Sequence, residues 1–202
     1  MKCAICNEKE CEGGKDCTGI RTEILGKYKG ENYRIFRVAG EIEARHYMKK
    51  TRLEEIILFG KQMGYRCVGL AFCIGFEKEA TLVHKILEKH FTVVSVCCKV
   101  CGIGKSKFGL RQLRKKGFEA SCNPIGQAKI LNKSKTELNI IMGLCVGHDS
   151  LFIKHSRSPV TVFAVKDRVL AHNPLGAIYS NYYLEKVFGI NMRWINENPD
   201  CI

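Results

Sequence analysis

Three apolar runs in this 202-residue chain each end on a cysteine. VGLAFC ends at Cys73, TVVSVCC ends at Cys97 and Cys98, and NIIMGLCVGHDS carries Cys145 just ahead of Gly147, His148, Asp149 and Ser150. Thiolates ligate soft ions, so a gathering of cysteines points first to an iron–sulfur cluster, zinc or copper(I). If the runs are parallel strands, their cysteines meet at the carboxyl edge of one sheet, where open α/β sheets bind ligands. Cys122 joins them from another direction. In SCNPIGQAK, Pro124 suits a first helical turn, so Cys122 and Asn123 precede a helix start whose free N–H groups and positive dipole favour a thiolate. A single cysteine is more often a small core side chain than a ligand. Recurrence at one topological position is what makes Cys73, Cys98, Cys122 and Cys145 a candidate metal cluster.

A second group opens the chain, with Cys3, Cys6, Cys11 and Cys17 among glycines and charged residues. So few apolar residues cannot bury a core, whereas metal binding by four thiolates supplies the folding free energy that packing does not. The two-residue gap between Cys3 and Cys6 is typical of zinc knuckles and of iron–sulfur loops, while the wider later gaps, with no histidine, match neither signature closely. The expected cofactor is therefore an iron–sulfur cluster, 4Fe–4S first, or zinc. A rival redox reading uses Cys98, Lys99, Val100 and Cys101 as a Cys-x-x-Cys after a strand.

Polar residues also follow the strand ends. Lys99, Lys166, Asp167, Arg168 and His172 suit recognition of a small anionic substrate, against the plainer reading of surface salt bridges. His148 and Asp149 are read as a helix cap or as hydrogen-bonded support around a metal. No phosphate-binding glycine fingerprint, nucleophile elbow or zinc-protease histidine pair is present.

The elements that must position these residues alternate in type. Glu31 to Lys50 has a loosely helical spacing. Thr51 and Glu54 make a capping box for a helix to Met63, with Gly64 as its stop. Strands are expected at 66–74, 92–98, 138–144 and 160–165, and helices at 76–90, from Pro124, from 148 to 155 and from His172 to about Val187. Residues 99–117 read as a loop with one short helix. The fold class is thus α/β, a mostly parallel Rossmann-like sheet flanked by helices, with a cysteine-rich segment at 1–20, the α/β domain at 21–190 and a tail at 191–202.

The chain carries a net charge of +13. Between Val93 and Lys135 ten Lys or Arg residues face the single acid Glu119, which suggests an anionic ligand or nucleic acid, or else a solvated surface. A zinc-shaped nucleic-acid module is the alternative to the metalloprotein, and the sparse aromatics near those lysines count against it, since single-strand binding usually adds stacking platforms. No apolar stretch approaches about 18 residues and no leader pattern precedes Cys3, so a cytoplasmic protein without membrane partners is expected, with a homodimer among the states it allows.

The strings TRLEEI, AFCIG, CCK, CNPIGQAK, GLCVGHDSLF and KDRVLAHNP together resemble a prokaryotic family of cysteine-rich predicted metal-binding proteins, the domain of unknown function 1847. The resemblance spans essentially the whole chain. It implies metal binding without a named reaction, and it implies roles for Cys73, Cys98, Lys99, Cys122, Asn123, Cys145, His148, Asp149, Asp167, Arg168, His172 and Asn173. Cys97 and Cys101 stand outside the shared pattern, which counts against the Cys98–Cys101 pair.

Overall fold

The computed structural model describes residues 1–114 and 116–191; Lys115 and the expected tail from 192 onward lie outside the described residues. The chain divides into two compact units, Met1–Arg37 with Pro174–Ile202, and Val38–Asn173.

In the first unit every residue from 1 to 34 is exposed, the apolar side chains of Ile5, Ile20, Leu25, Tyr28 and Tyr33 included. Local polar bonds shape it instead. Asp16 accepts from the backbone of Thr18 at 3.0 Å and of Gly19 at 2.9 Å, and from Arg21 N at 3.1 Å, which turns the chain into the short helix α1 (Arg21–Leu25). Helix α2 (Gly30–His46) follows; its residues from Val38 onward belong to the second unit, and its one buried residue, Ile42, is among them. The helix expected from His172 to Val187 is broken. A 3-10 turn forms at Pro174–Ala177 and a π turn at Tyr183–Val187, because Gly176 and Ser180 are weak helix formers.

The second unit is built on a four-stranded parallel sheet in the order β2-β1-β3-β4, with β1 at Cys67–Phe72, β2 at Thr92–Cys97, β3 at Leu138–Met142 and β4 at Val160–Ala164. Helix α3 (Arg52–Gln62) precedes it, capped by the expected box: Thr51 Oγ1 accepts from Glu54 N at 3.4 Å and Glu54 Oε2 accepts from Thr51 N at 2.9 Å. The crossovers are α4 (Glu77–Leu87), α5 (Pro124–Lys133) and α6 (His148–His155). β3 is buried at every position, which explains why LNIIM lacks the apolar–polar alternation of a half-exposed strand. The stretch 99–117 forms two 3-10 turns, Val100–Gly102 and Lys105–Phe108, in place of the one short helix expected.

Two side-chain devices fix the helices to this sheet. Buried Gln127 donates from Nε2 to Phe72 O at 3.1 Å and to Val96 O at 2.7 Å, tying α5 to the ends of β1 and β2. Buried Asn139 accepts from Thr136 Oγ1 at 2.8 Å and donates to Ser156 Oγ at 2.8 Å. Gly69 makes room for it, since a Cβ there would stand 2.2 Å from Asn139 Oδ1. No described helix is long and apolar enough to cross a membrane.

Candidate functional site

Strand order reverses between β1 and β3, so the crevice beyond their carboxyl ends is the topological switch point at which such sheets bind ligands. The register levels three strand ends there. Phe72 pairs with Cys97 on one side and with Met142 on the other. Cys98 N then donates to Phe72 O at 2.8 Å, Cys73 N to Met142 O at 3.1 Å and Gly143 N to Ala164 O at 2.7 Å. Cys122 is brought in by its neighbour, since Asn123 N donates to Cys98 O at 2.8 Å.

Three thiols consequently meet through Cys98. Its Sγ lies 3.8 Å from Cys122 Sγ, hydrogen-bonds with Cys73, and accepts from Ile74 N at 3.4 Å. Cys98 is buried, Cys73 is buried and Cys122 half-buried. Cations surround the outer two. Lys99 Nζ donates to Ala120 O at 2.8 Å and to Cys122 Sγ at 3.5 Å. Lys166 sits beside Cys73, its Nζ 4.1 Å from the centroid of the Phe76 ring.

This arrangement separates the thiols in acidity. Hydrogen bonding to Cys98 first, and then Lys99 and His148, lower Cys122 from 9.0 to about 5. Hydrogen bonding to Cys98, with Gly75 N–H and Lys166, lowers Cys73 likewise to about 5. Cys98 itself is pushed upward by the same two partners and by burial. Among the described residues, no three or more His, Cys, Asp or Glu side chains are gathered round one point as a formed metal centre would have them.

Cys145 has a cation for its partner. Arg168 Nη2 donates to its Sγ at 3.2 Å, so the fourth thiol of the expected cluster is held by a guanidinium. The remaining polar residues are distributed between the site and its frame. Asn123 is a helix cap: its Oδ1 accepts from Gly126 N at 2.8 Å and its Nδ2 donates to Val100 O at 3.3 Å. His148 is not the cap of α6; Gly147 occupies that position, with no side-chain cap bond. His148 instead opens the helix close enough to Cys122 to favour its thiolate. Asp149 Oδ1 accepts from Ser150 N at 2.7 Å. Asp167 builds the turn after β4, accepting from Val169 N at 2.9 Å and Leu170 N at 2.8 Å. His172 Nδ1 accepts from Asp167 N at 3.1 Å while its ring rests 4.3 Å from that of Phe76, and Asn173 N donates to Leu170 O.

Cys101 is exposed, on a turn where its own φ is +70°, and Cys98 finds its sulfur partners in Cys73 and Cys122 instead. Cys3, Cys6, Cys11 and Cys17 are exposed free thiols in the first unit. Sequence reasoning passed over Gln127 and Phe76. The signal for Gln127 was a lone amide among the apolar positions of PIGQAKIL, and Phe76 carried none beyond its place after the first strand.

An α/β protein with a parallel sheet and a cysteine-rich edge is thus defined by fold and site together. The chain belongs to the family described as "Protein of unknown function (DUF1847)", which matches residues 12–163. It is 59% identical over 189 residues to an uncharacterized protein of Methanocaldococcus jannaschii, covering 93% of this chain and 98% of that one. No solved structure matches it.

Proposed function

We propose that the Cys73–Cys98–Cys122 edge is a soft-metal centre, an iron–sulfur cluster first and zinc second, serving redox or sulfur chemistry on a small anion. The carrying observation is the 3.8 Å between the sulfurs of Cys98 and Cys122. Tetrahedral thiolates at about 2.3 Å from an ion stand about 3.8 Å from one another, so these two sulfurs already span one edge of such a tetrahedron. Two core thiols in plain van der Waals contact have a similar spacing. Lys99 beside Cys122 and Lys166 beside Cys73 favour the metal reading, because an apolar core pair has no cations holding its sulfurs as thiolates. In this reading Cys73, Cys98 and Cys122 are the holders of the group and Cys145 is the thiol available for a fourth position. A bound cluster supplies an electron-transfer couple and, with three protein thiolates, an open coordination position. Lys99, Lys166 and Arg168 are the residues to bind the substrate's negative charge. The N-terminal Cys3, Cys6, Cys11 and Cys17 form a second centre in this reading, supported by the exposure of the whole segment around them.

The test is strictly anaerobic purification followed by the visible spectrum and by iron, sulfide and zinc stoichiometry. Cys98→Ser with Cys122→Ser is expected to remove one site's complement of metal and leave that of the N-terminal segment. Unchanged total metal in this double variant would return the trio to the role of core thiols.

A further inference from the structure

A cavity lies between α5 and the end of α6, reaching from Ile125 in the first turn of α5 to Lys133 in its last. It measures about 540 Å³ and is walled by Lys129 and Lys133 of α5 and by Lys154, His155 and Arg157 at the end of α6, with Asn132 between them. No carboxylate lines it. Asn132 fixes the two walls relative to each other, donating from Nδ2 to His155 O at 2.8 Å and accepting from Arg157 N at 3.0 Å.

Cations at helix C-termini ordinarily balance the macrodipole. Here there are too many of them for that. Each helix end carries roughly −0.5 of a charge, about −1 for both, against four permanent positive charges on Lys129, Lys133, Lys154 and Arg157. The terminal carbonyls already have other donors: Ser134 N serves Ile130, Thr136 N serves Leu131, and Ser156 N serves Phe152. Among the described residues none of the four side chains forms an ion pair. An excess of about three positive charges thus faces an open cleft.

We propose that this cleft binds a run of closely spaced phosphate groups, from a nucleic-acid backbone or a free polyphosphate. Lys129 and Lys133 lie one helical turn apart, about 6 Å along the axis, a separation that lets each meet a different phosphate of one chain. The cavity lacks Phe, Tyr and Trp, so it offers no stacking platform and reads phosphate without reading bases. The site is separate from the thiol edge and does not depend on its metal.

The test uses the full chain, a fluorescein-labelled single-stranded 20-mer of uridylate, and unlabelled inorganic triphosphate as competitor. Anisotropy at 50 mM salt is expected to show binding that weakens with added salt, with a log–log slope of about −3 for four phosphate contacts. Lys129→Ala with Lys133→Ala should lower affinity at least tenfold and reduce the slope by about 1.4. Lys78→Ala with Lys89→Ala, exposed on and just beyond α4, should leave both unchanged. Competition by triphosphate at micromolar concentration assigns the cleft to a free polyphosphate, and its failure assigns it to the polymer. Absence of binding by either probe, or equal losses in the two double variants, overturns the proposal. Cys98→Ser with Cys122→Ser keeps RNA binding even if the metal reading fails.

Discussion

At the scale of the residue, the thiols at the sheet edge are distinguished less by being cysteines than by what each one faces. Cys98 faces two sulfurs, Cys122 faces a lysine and Cys145 an arginine. Cys122 is the one both lowered in pKa and partly accessible. Because its folded value is depressed, the reactive thiolate is present above about pH 5 and is lost as pH falls through that value. In reduced, metal-free protein, iodoacetamide labelling at Cys122, followed by peptide mass spectrometry, should reach its plateau rate by about pH 6. An ordinary thiol, half ionised at about pH 8.5, instead gains rate up to about pH 9.5. Lys99→Met should move the curve toward the ordinary value, and a rate still climbing between pH 7 and 9 in the parent protein would count against the thiolate. None of this was legible from sequence beyond the helix start before Pro124. The cation partners Lys99 and Arg168 each come from 23 residues away in the chain from the cysteine they meet, and strand-end placement alone does not say which cysteine each will meet.

At the scale of the element, strand–cysteine recurrence was readable because buried parallel strands write themselves as continuous β-branched runs, and because register then aligns their ends. What sits just past those ends was not readable. Gly143 illustrates the reason: its φ is +68° and a Cβ would fall 2.0 Å from a ring carbon of Phe76. The close approach of that ring, itself pinned between Lys166 and His172, is a tertiary fact with no local signature. Gly143→Ala should therefore destabilise the fold by about 2–4 kcal/mol, combining overpacking with a left-handed backbone. For a chain of this size that is a fall in Tm of about 5–15 °C, measured by circular dichroism. A change below 1 °C would mean that Phe76 moves aside freely. The opposite failure occurs at 172–187, where apolar spacing suggested one helix; glycine and polar interruptions instead leave separate turns.

At the scale of the whole molecule, two populations of cysteine live under different physical regimes. Those of the sheet edge are held by a packed core in which Leu70, Leu87, Leu131, Ile140 and Phe152 are fully buried, so their positions persist whether or not a ligand is bound. Cys3, Cys6, Cys11 and Cys17 belong to a stretch with no buried residue at all, where only local polar bonds oppose chain entropy of about 1–2 kcal/mol per residue. In the proposed metalloprotein, ligation supplies most of the order of that segment. Limited trypsin digestion before and after treatment with a strong chelator and reductant separates the regimes. After metal removal, cleavage at Lys9, Lys15 and Arg21 should accelerate by at least tenfold, while sites within Val38–Asn173 keep their rates. Equal protection of the segment with and without metal would show that its thiols are not ligands. Loss of protection throughout Val38–Asn173 would show that the edge centre, rather than the packed core, is what holds the sheet together.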